Sequence, residues 1–424
     1  MTRTLDSLAD LSAAEIRALA AHAASAAAPA QPLCGRVVAV LPLGPTALAP
    51  PAWIAAASRL GAGVLRRDDF DHAGLDEFEV CSEAARWADI LVLSHPMNGF
   101  SRAIAEMTGR AVVNAGEPGG EDPAAGICLV AAALHGPYGP GGSRGARDAR
   151  PLRAAVCGDL AGSRSARALL SALAALEATV LLVPAQSRDL PDEEVERLAQ
   201  RMRRRPFRFE ARSMTSLLDM VDTVLLAREA TPQLPLFREV GVPPGDAERR
   251  ARRAVEDLDV LFVAGEGGVD RLVHEPFRGR RKSALPPGAE QPTSLGALEA
   301  ALLFVAGQIA AEPRTPNADG PLYRSGLGVI CRGGRCVAAR RPDRVTPEFG
   351  FVSRRPLVLV CRYCGERTTA GFAASKVEGR FHGIGSSYAR HILDANLVLF
   401  ASRAEALAAG FDPARHGGEL DTEA

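Results

Sequence analysis

The sequence predicts an α/β protein: two doubly wound parallel-sheet domains, then a small β-rich ribbon and a small α/β tail. Three observations carry this. Short apolar runs alternate with helical stretches up to about residue 134, and again from 152 to 263. A Gly-, Pro- and Arg-rich segment, 136–150, breaks the rhythm between the two series. Two cysteine pairs, Cys331-x4-Cys336 and Cys361-x2-Cys364, then lie in a segment of short strands and tight turns. Alternation with short connections points to parallel sheets covered on both faces.

The elements follow in order. Ser12-Ala-Ala-Glu15 is a capping-box pattern, opening an Ala/Leu-rich helix to about residue 27. Strands are expected at 36–41, 90–94 and 111–114, with helices at 52–60, 81–88, 101–107 and 124–134. The second series runs strand 152–157, helix 164–175, strand 179–183 and helix 192–202, with further strands at 207–210, 223–226 and 260–263. A basic, Pro-rich loop at 279–292 precedes a continuous apolar helix, 295–311, whose all-round apolarity suits burial between layers. Residues 313–321 read as a linker. The domains expected are therefore 1–140, completed by the return helix 295–311, then 151–292, 321–370 and 371–418.

Composition narrows the function classes. The 424 residues carry zero formal net charge and are 47% hydrophobic, as a globular chain with a large core should be. That balance argues against a general nucleic-acid or membrane-surface role. Residues 331–367 are an exception, with nine arginines against three acidic residues. No stretch approaches the roughly 20 apolar residues that span a bilayer. Asp6, Asp10 and Glu15 interrupt the N-terminus where a signal peptide needs basic and apolar regions. The remaining cysteines (Cys34, Cys81, Cys128, Cys157) stand singly in apolar or helical contexts, which suits a reduced cytoplasmic chain.

The two cysteine pairs set four thiolates at the spacing of a closed, tetrahedral structural zinc site. Free or disulfide-paired cysteines are the competing reading. Zinc is favoured because Cys361-Arg-Tyr-Cys364 directly follows an apolar strand at 357–360, as a metal knuckle should. With Cys331, Cys336, Cys361 and Cys364 all bound, no position stays open for chemistry.

Across roughly residues 5–312 the chain resembles the aspartate/ornithine carbamoyltransferase family. The resemblance rests on Leu-Ala-Asp-Leu-Ser-Ala-Ala-Glu-Ile at 8–16, Val-Val-Asn-Ala-Gly-Glu-Pro-Gly-Gly-Glu-Asp-Pro at 112–123, Gly158-Asp159-Leu160 with Arg164, the strand ending at Arg228, and His274-Glu-Pro-Phe-Arg278. It implies two α/β domains with a C-terminal helix crossing back to the first. The cysteine segment resembles the zinc domain of the aspartate carbamoyltransferase regulatory chain, which in the family belongs to a separate chain. The tail resembles a small zinc module of alkylation-repair regulators. Ser386, Ala414 and Gly417 stand where that module has cysteines, so no second zinc is expected beside His382 and His416.

What the family uses for chemistry is largely replaced. Its phosphate-binding "S-T-R-T-R" corresponds to Gly44-Pro45-Thr46-Ala47-Leu48, which lacks both arginines and leaves Thr46 as the one anion contact. Ser94 replaces a further arginine, and Asp122 puts a carboxylate where the family's "HPTQ" offers a donor. Arg164, Arg228 and Arg278 keep positions that, by resemblance, bind the second substrate's carboxylates. The sequence thus predicts a carbamoyltransferase-fold protein that has lost the carbamoyl phosphate site. It would serve as an amino-acid-like carboxylate binder, scaffold or regulatory subunit, in a homotrimer or with an active paralogue. A divergent transferase with an altered donor, using Thr46, Asp122 and His274, is the alternative; a nucleic-acid-associated protein is a third.

Overall fold

The computed structural model describes residues 3–25, 31–44, 50–70, 74–118, 120–135, 152–184, 189–202, 205–208, 220–221, 223–227, 261–265, 268–273, 290–309, 322–354 and 356–414. The chain forms two units, Met1–Pro96 with Ile104–Glu312, and Met97–Ala103 with Pro313–Ala424.

The first unit holds two sheets. Strands Thr4–Leu5 (β1), Val37–Pro42 (β2), Gly63–Arg66 (β3), Ile90–Ser94 (β4) and Ala111–Asn114 (β5) pair in the order β1-β5-β4-β2-β3, all parallel. Strands Arg153–Gly158 (β6), Thr179–Pro184 (β7), Phe207–Arg208 (β8), Thr223–Ala227 (β9), Leu261–Gly265 (β10) and Gly268–Val273 (β11) pair in the order β11-β10-β9-β6-β7-β8. Only β11 runs antiparallel, as a hairpin on β10. Among the described residues the α-helices up to 309 are Ala13–Ala24 (α1), Pro50–Arg59 (α2), Glu77–Trp87 (α3), Phe100–Thr108 (α4), Pro123–His135 (α5), Arg164–Ala175 (α6), Asp192–Arg201 (α7) and Glu290–Val305 (α8).

Local chemistry explains where these elements begin and end. In α1 the box predicted from Ser12 and Glu15 forms reciprocally: Glu15 N donates to Ser12 Oγ at 3.2 Å, and Ser12 N to Glu15 Oε2 at 2.8 Å. Helix α3 starts at Glu77, four residues before the apolar pattern suggested. Asp76 and Glu79 make a second capping box there, with bonds of 2.9 and 3.0 Å. The return helix occupies Glu290–Val305 rather than 295–311. It stops because Gly307 turns to φ 76°, closing the end with bonds from Gly307 N to Phe304 O and Gln308 N to Leu303 O. Apolar composition continues past that stop, so composition alone overruns the helix.

One continuous core runs through this unit, from Leu5 and Leu19 through Val113, Leu129 and Leu173 to Phe304. Helix α8 enters it closely, since a Cβ on Gly296 would stand 2.6 Å from Ala23 O. Where α8 meets α2, the buried Glu299 receives Arg59 Nε at 2.6 Å.

The second unit is β-rich. Leu322–Arg324 (β12), Glu348–Arg354 (β13), Leu357–Cys361 (β14) and Arg367–Ala370 (β15) form an antiparallel sheet in that order. Phe372–Ser375 (β16), Arg380–Gly383 (β17), Leu397–Phe400 (β18) and Asp412–Pro413 (β19) form a second sheet, ordered β18-β16-β17-β19. Helices Val337–Arg340 (α9) and Arg403–Ala408 (α10) complete it. The tail is built onto the ribbon: Leu399 N donates to the buried Tyr323 hydroxyl at 2.8 Å, and Val329 N to Leu399 O at 2.7 Å. Its own core is Ala374, Phe381, Val398, Phe400, Ala406 and Phe411.

Candidate functional site

The metal centre is assembled by two turns. Cys331 and Cys336 flank a loop that ends at the first turn of α9, and Cys361 and Cys364 close β14. Cys336 N donates to Gly333 O at 3.0 Å, and Gly365 N to Cys361 O at 2.9 Å. The four Sγ atoms lie within 4.8 Å of one another, with Cys331–Cys364 at 3.4 Å and Cys336–Cys361 at 3.7 Å. A tetrahedron with Zn–S bonds of ~2.3 Å needs sulfur–sulfur separations of ~3.8 Å, so the cage fits zinc as folded. Three of the thiols are buried and Cys364 is half-buried. The site is closed and carries one structural zinc.

The centre also organises what precedes it in the chain. Asn98 pairs in parallel with Cys336, donating from its N to Arg335 O at 2.7 Å and accepting from Val337 N at 3.0 Å. Gly99 rests on Tyr363 between the second pair of ligands. Several basic residues of the ribbon meet acids of the second unit. Glu348, buried, takes Arg324 at 2.7 Å and Arg362 at 2.5 Å; Asp343 takes Arg341 at 3.1 Å; Glu405 takes Arg332 at 3.4 Å.

In the first unit, ligand crevices of parallel sheets lie outside the strand C-termini where the strand order reverses. For the first sheet that point falls between β2 and β4, at Leu43–Gly44 and Ser94–His95, where Leu43 N donates to Ser94 O at 2.9 Å. Ser94 and His95 are buried. Burial pulls the His95 imidazole down to about 4, against the opposing pull of Glu77, so it is neutral at neutral pH. Thr46, Arg228, His274 and Arg278 lie outside the described residues.

Asp122 and Arg164 are described, and the structure gives Asp122 a clear local task. Its Oδ1 accepts from Ala125 N at 3.0 Å, capping α5, and its backbone N donates to Arg164 O at 3.4 Å. Burial pushes its carboxyl up, while the Ala125 N–H, Arg164 and Ala124 N–H pull it down. Arg164, half-buried, opens α6 next to its cap Ser163. Part of its charge is therefore directed at Asp122. Asp159 is a turn residue: Gly162 N donates to its Oδ1 at 2.7 Å.

Sequence reasoning missed Glu117 and Glu121, both in the loop before α5. Glu117 is buried. Glu121 accepts from Leu8 N at 2.8 Å and from the Ser171 hydroxyl in a short contact, tying the N-terminus to α6. Burial pushes its carboxyl up to about 6, against the hydrogen bonds of Ser171, Leu8 and Ser7. The signal available was Ser171, a hydroxyl on the buried face of an Ala/Leu helix.

Comparison with known proteins agrees with this architecture. The family model described as aspartate carbamoyltransferase regulatory chain, metal binding domain, matches residues 325–371. The aspartate carbamoyltransferase catalytic subunit of Picrophilus torridus is 30% identical over 95 residues, 22% of this chain and 31% of that protein. That of Archaeoglobus fulgidus is 25% identical over 189 residues, 44% of this chain and 59% of that protein. The chain thus spans less than two thirds of either relative. Among solved structures, Trypanosoma cruzi aspartate transcarbamoylase in complex with carbamoyl phosphate and aspartate superposes with a TM-score of 0.52 at 19% identity, covering 72% of this chain and 95% of that one. A mitochondrial ornithine carbamoyltransferase from Coccidioides immitis gives 0.52 at 18%, covering 73% and 100%. The fold is carbamoyltransferase-like, followed by a zinc-binding domain of the regulatory-chain type. Among the described residues, no helix is long and apolar enough to cross a membrane.

Proposed function

We propose that this protein is a carbamoyltransferase-fold subunit that no longer takes carbamoyl phosphate and acts in regulation or scaffolding, in the cytoplasm. One observation supports it above the rest. At the first-sheet crevice stand the buried Ser94 and the neutral His95, whose N donates to Gly116 O at 3.2 Å, and the residues that follow Gly116 add two buried carboxylates, Glu117 and Asp122. A dianionic donor needs cations or N–H donors in a dry site. Buried acids there raise its energy instead.

The zinc unit pairs with the backbone at Asn98, which suits a docking module fused into the chain it would otherwise bind as a separate subunit. Assembly into a trimer, or with an active carbamoyltransferase paralogue, fits the habit of that fold. A carboxylate ligand of the amino-acid type would meet Arg164, Arg228 and Arg278.

Calorimetric titration of zinc-loaded protein with carbamoyl phosphate, alone and with aspartate or ornithine present, tests the reading. No heat at millimolar donor is expected; saturable binding would overturn it.

A second reading, a divergent transferase with another donor, has one specific support. Arg67 donates from Nη1 to Pro42 O at 3.3 Å at the end of β2. Its buried Nε has no hydrogen-bond partner among the described residues. A cation is thus present at the edge of the first sheet. The same titration with inorganic phosphate, on wild type and Arg67→Gln, separates the two.

A further inference from the structure

We infer that a groove between β3 and α3 is a docking site for an arginine side chain of a partner peptide. The groove is an open cavity of about 530 Å³ lined by Leu65, Asp69, Phe70, Leu75, Glu83 and Trp87. Its walls are two aromatic rings and two aliphatic chains, and its polar groups are two carboxylates. Trp87 is 66% exposed and Leu75 42%, so two large apolar side chains meet at one accessible groove.

The polar groups hold the aromatic wall in place. Trp87 Nε1 donates to Glu83 Oε1 at 3.1 Å, which fixes the indole along α3. Glu83 Oε2 also meets Arg86 Nε at 3.5 Å, and Asp69 Oδ2 accepts from Arg66 N at 2.7 Å. Both acids keep further lone pairs, since a carboxylate offers about four acceptor sites.

Charge complementarity selects the occupant. An anion would meet two carboxylates and the negative faces of the rings. A purely apolar side chain would strip water from both acids without replacing it. A cation satisfies rings and carboxylates together. Between the two protein cations, the guanidinium is planar, weakly hydrated and able to stack while donating sideways, whereas an ammonium gives up more hydration to enter an aromatic slot. The groove therefore suits arginine over lysine.

The chain supplies its own reporter. Of its two tryptophans, Trp53 is 4% exposed and Trp87 is the accessible one. Acrylamide quenching of the full-length, zinc-loaded protein therefore reads the groove. The probe is the peptide Gly-Arg-Gly-amide, beside its lysine counterpart and its neutral isostere with citrulline. Shielding of Trp87 by the arginine peptide, weaker shielding by lysine and none by citrulline are the expected result. The double variant Asp69→Asn, Glu83→Gln keeps the local hydrogen bonds and should weaken that shielding about fivefold. Unchanged Trp53 emission confirms its fold. Equal shielding by citrulline, or none by the arginine peptide at tens of millimolar, would overturn the inference. So would shielding that grows with protein concentration alone, which would mean that a second copy fills the groove.

Discussion

Gly99 and Tyr363 touch with no space for a side chain: a Cβ on Gly99 would stand 2.5 Å from Tyr363 Cβ and 2.6 Å from its carbonyl oxygen. Gly99 is also at φ 79°, in the left-handed region. Gly99→Ala thus incurs about 1–2 kcal/mol of backbone strain before any clash. The variant should keep its zinc but lose amide protection at Asn98 and Val337, read by hydrogen exchange. Unchanged exchange at both amides would mean that the knuckle holds the segment without this contact.

Zinc loss should propagate into the tail. The segment leading into Cys331 carries Val329 and Tyr323, and both hold Leu399 of β18. Cys361→Ser, or chelation, should therefore release one zinc per chain and expose the Leu399 amide, although the tail has its own apolar core. Metal content by elemental analysis and exchange at Leu399 give the answer. A tail that stays protected in zinc-free protein would show that it folds independently.

Legibility followed the range of the interactions. Strands β4 and β5 were read to the residue because each is a continuous apolar run with turn residues behind it, His95-Pro96 and Gly116. Helix α6 was equally clear, with Ser163 capping its start. The four zinc ligands were legible because their spacing is local chemistry. Pairing of Asn98 with Cys336 left no trace in the sequence, since residues that far apart share no period. Glu121 was invisible for another reason: an acid in a Gly/Pro loop reads as solvated, and its burial depends on Leu8 and Ser171 arriving from elsewhere.

Glu121 predicts an unusual pH dependence. Its folded carboxyl titrates near 6, above the ordinary 4.5, chiefly through burial and with Asp10 adding repulsion. The folded state therefore binds the proton more tightly than the unfolded chain. This contribution is fully present below about pH 4.5 and lost as pH rises through about 6. The loss amounts to about 2 kcal/mol. Arg201, which feels both Asp10 and Glu121, limits it. In Glu121→Gln the melting temperature should fall less than in wild type between pH 4.5 and 7. Parallel melting curves would remove Glu121 from this role.

Asp122 separates capping from chemistry. As the cap of α5 it needs one oxygen to accept from Ala125 N, and an amide oxygen can do that as well as a carboxylate. Asp122→Asn should therefore melt within a few degrees of wild type, and burial of the uncharged amide removes the desolvation that pushes the carboxyl up. Asp122→Ala loses the acceptor and should cost about 1 kcal/mol, seen as a lower midpoint in urea. If Asp122 were instead a proton acceptor for a reaction, the asparagine variant would keep its stability and lose turnover with any substrate found. Equal destabilisation by asparagine and alanine would show that the charge facing Arg164, not the cap, is what this position contributes.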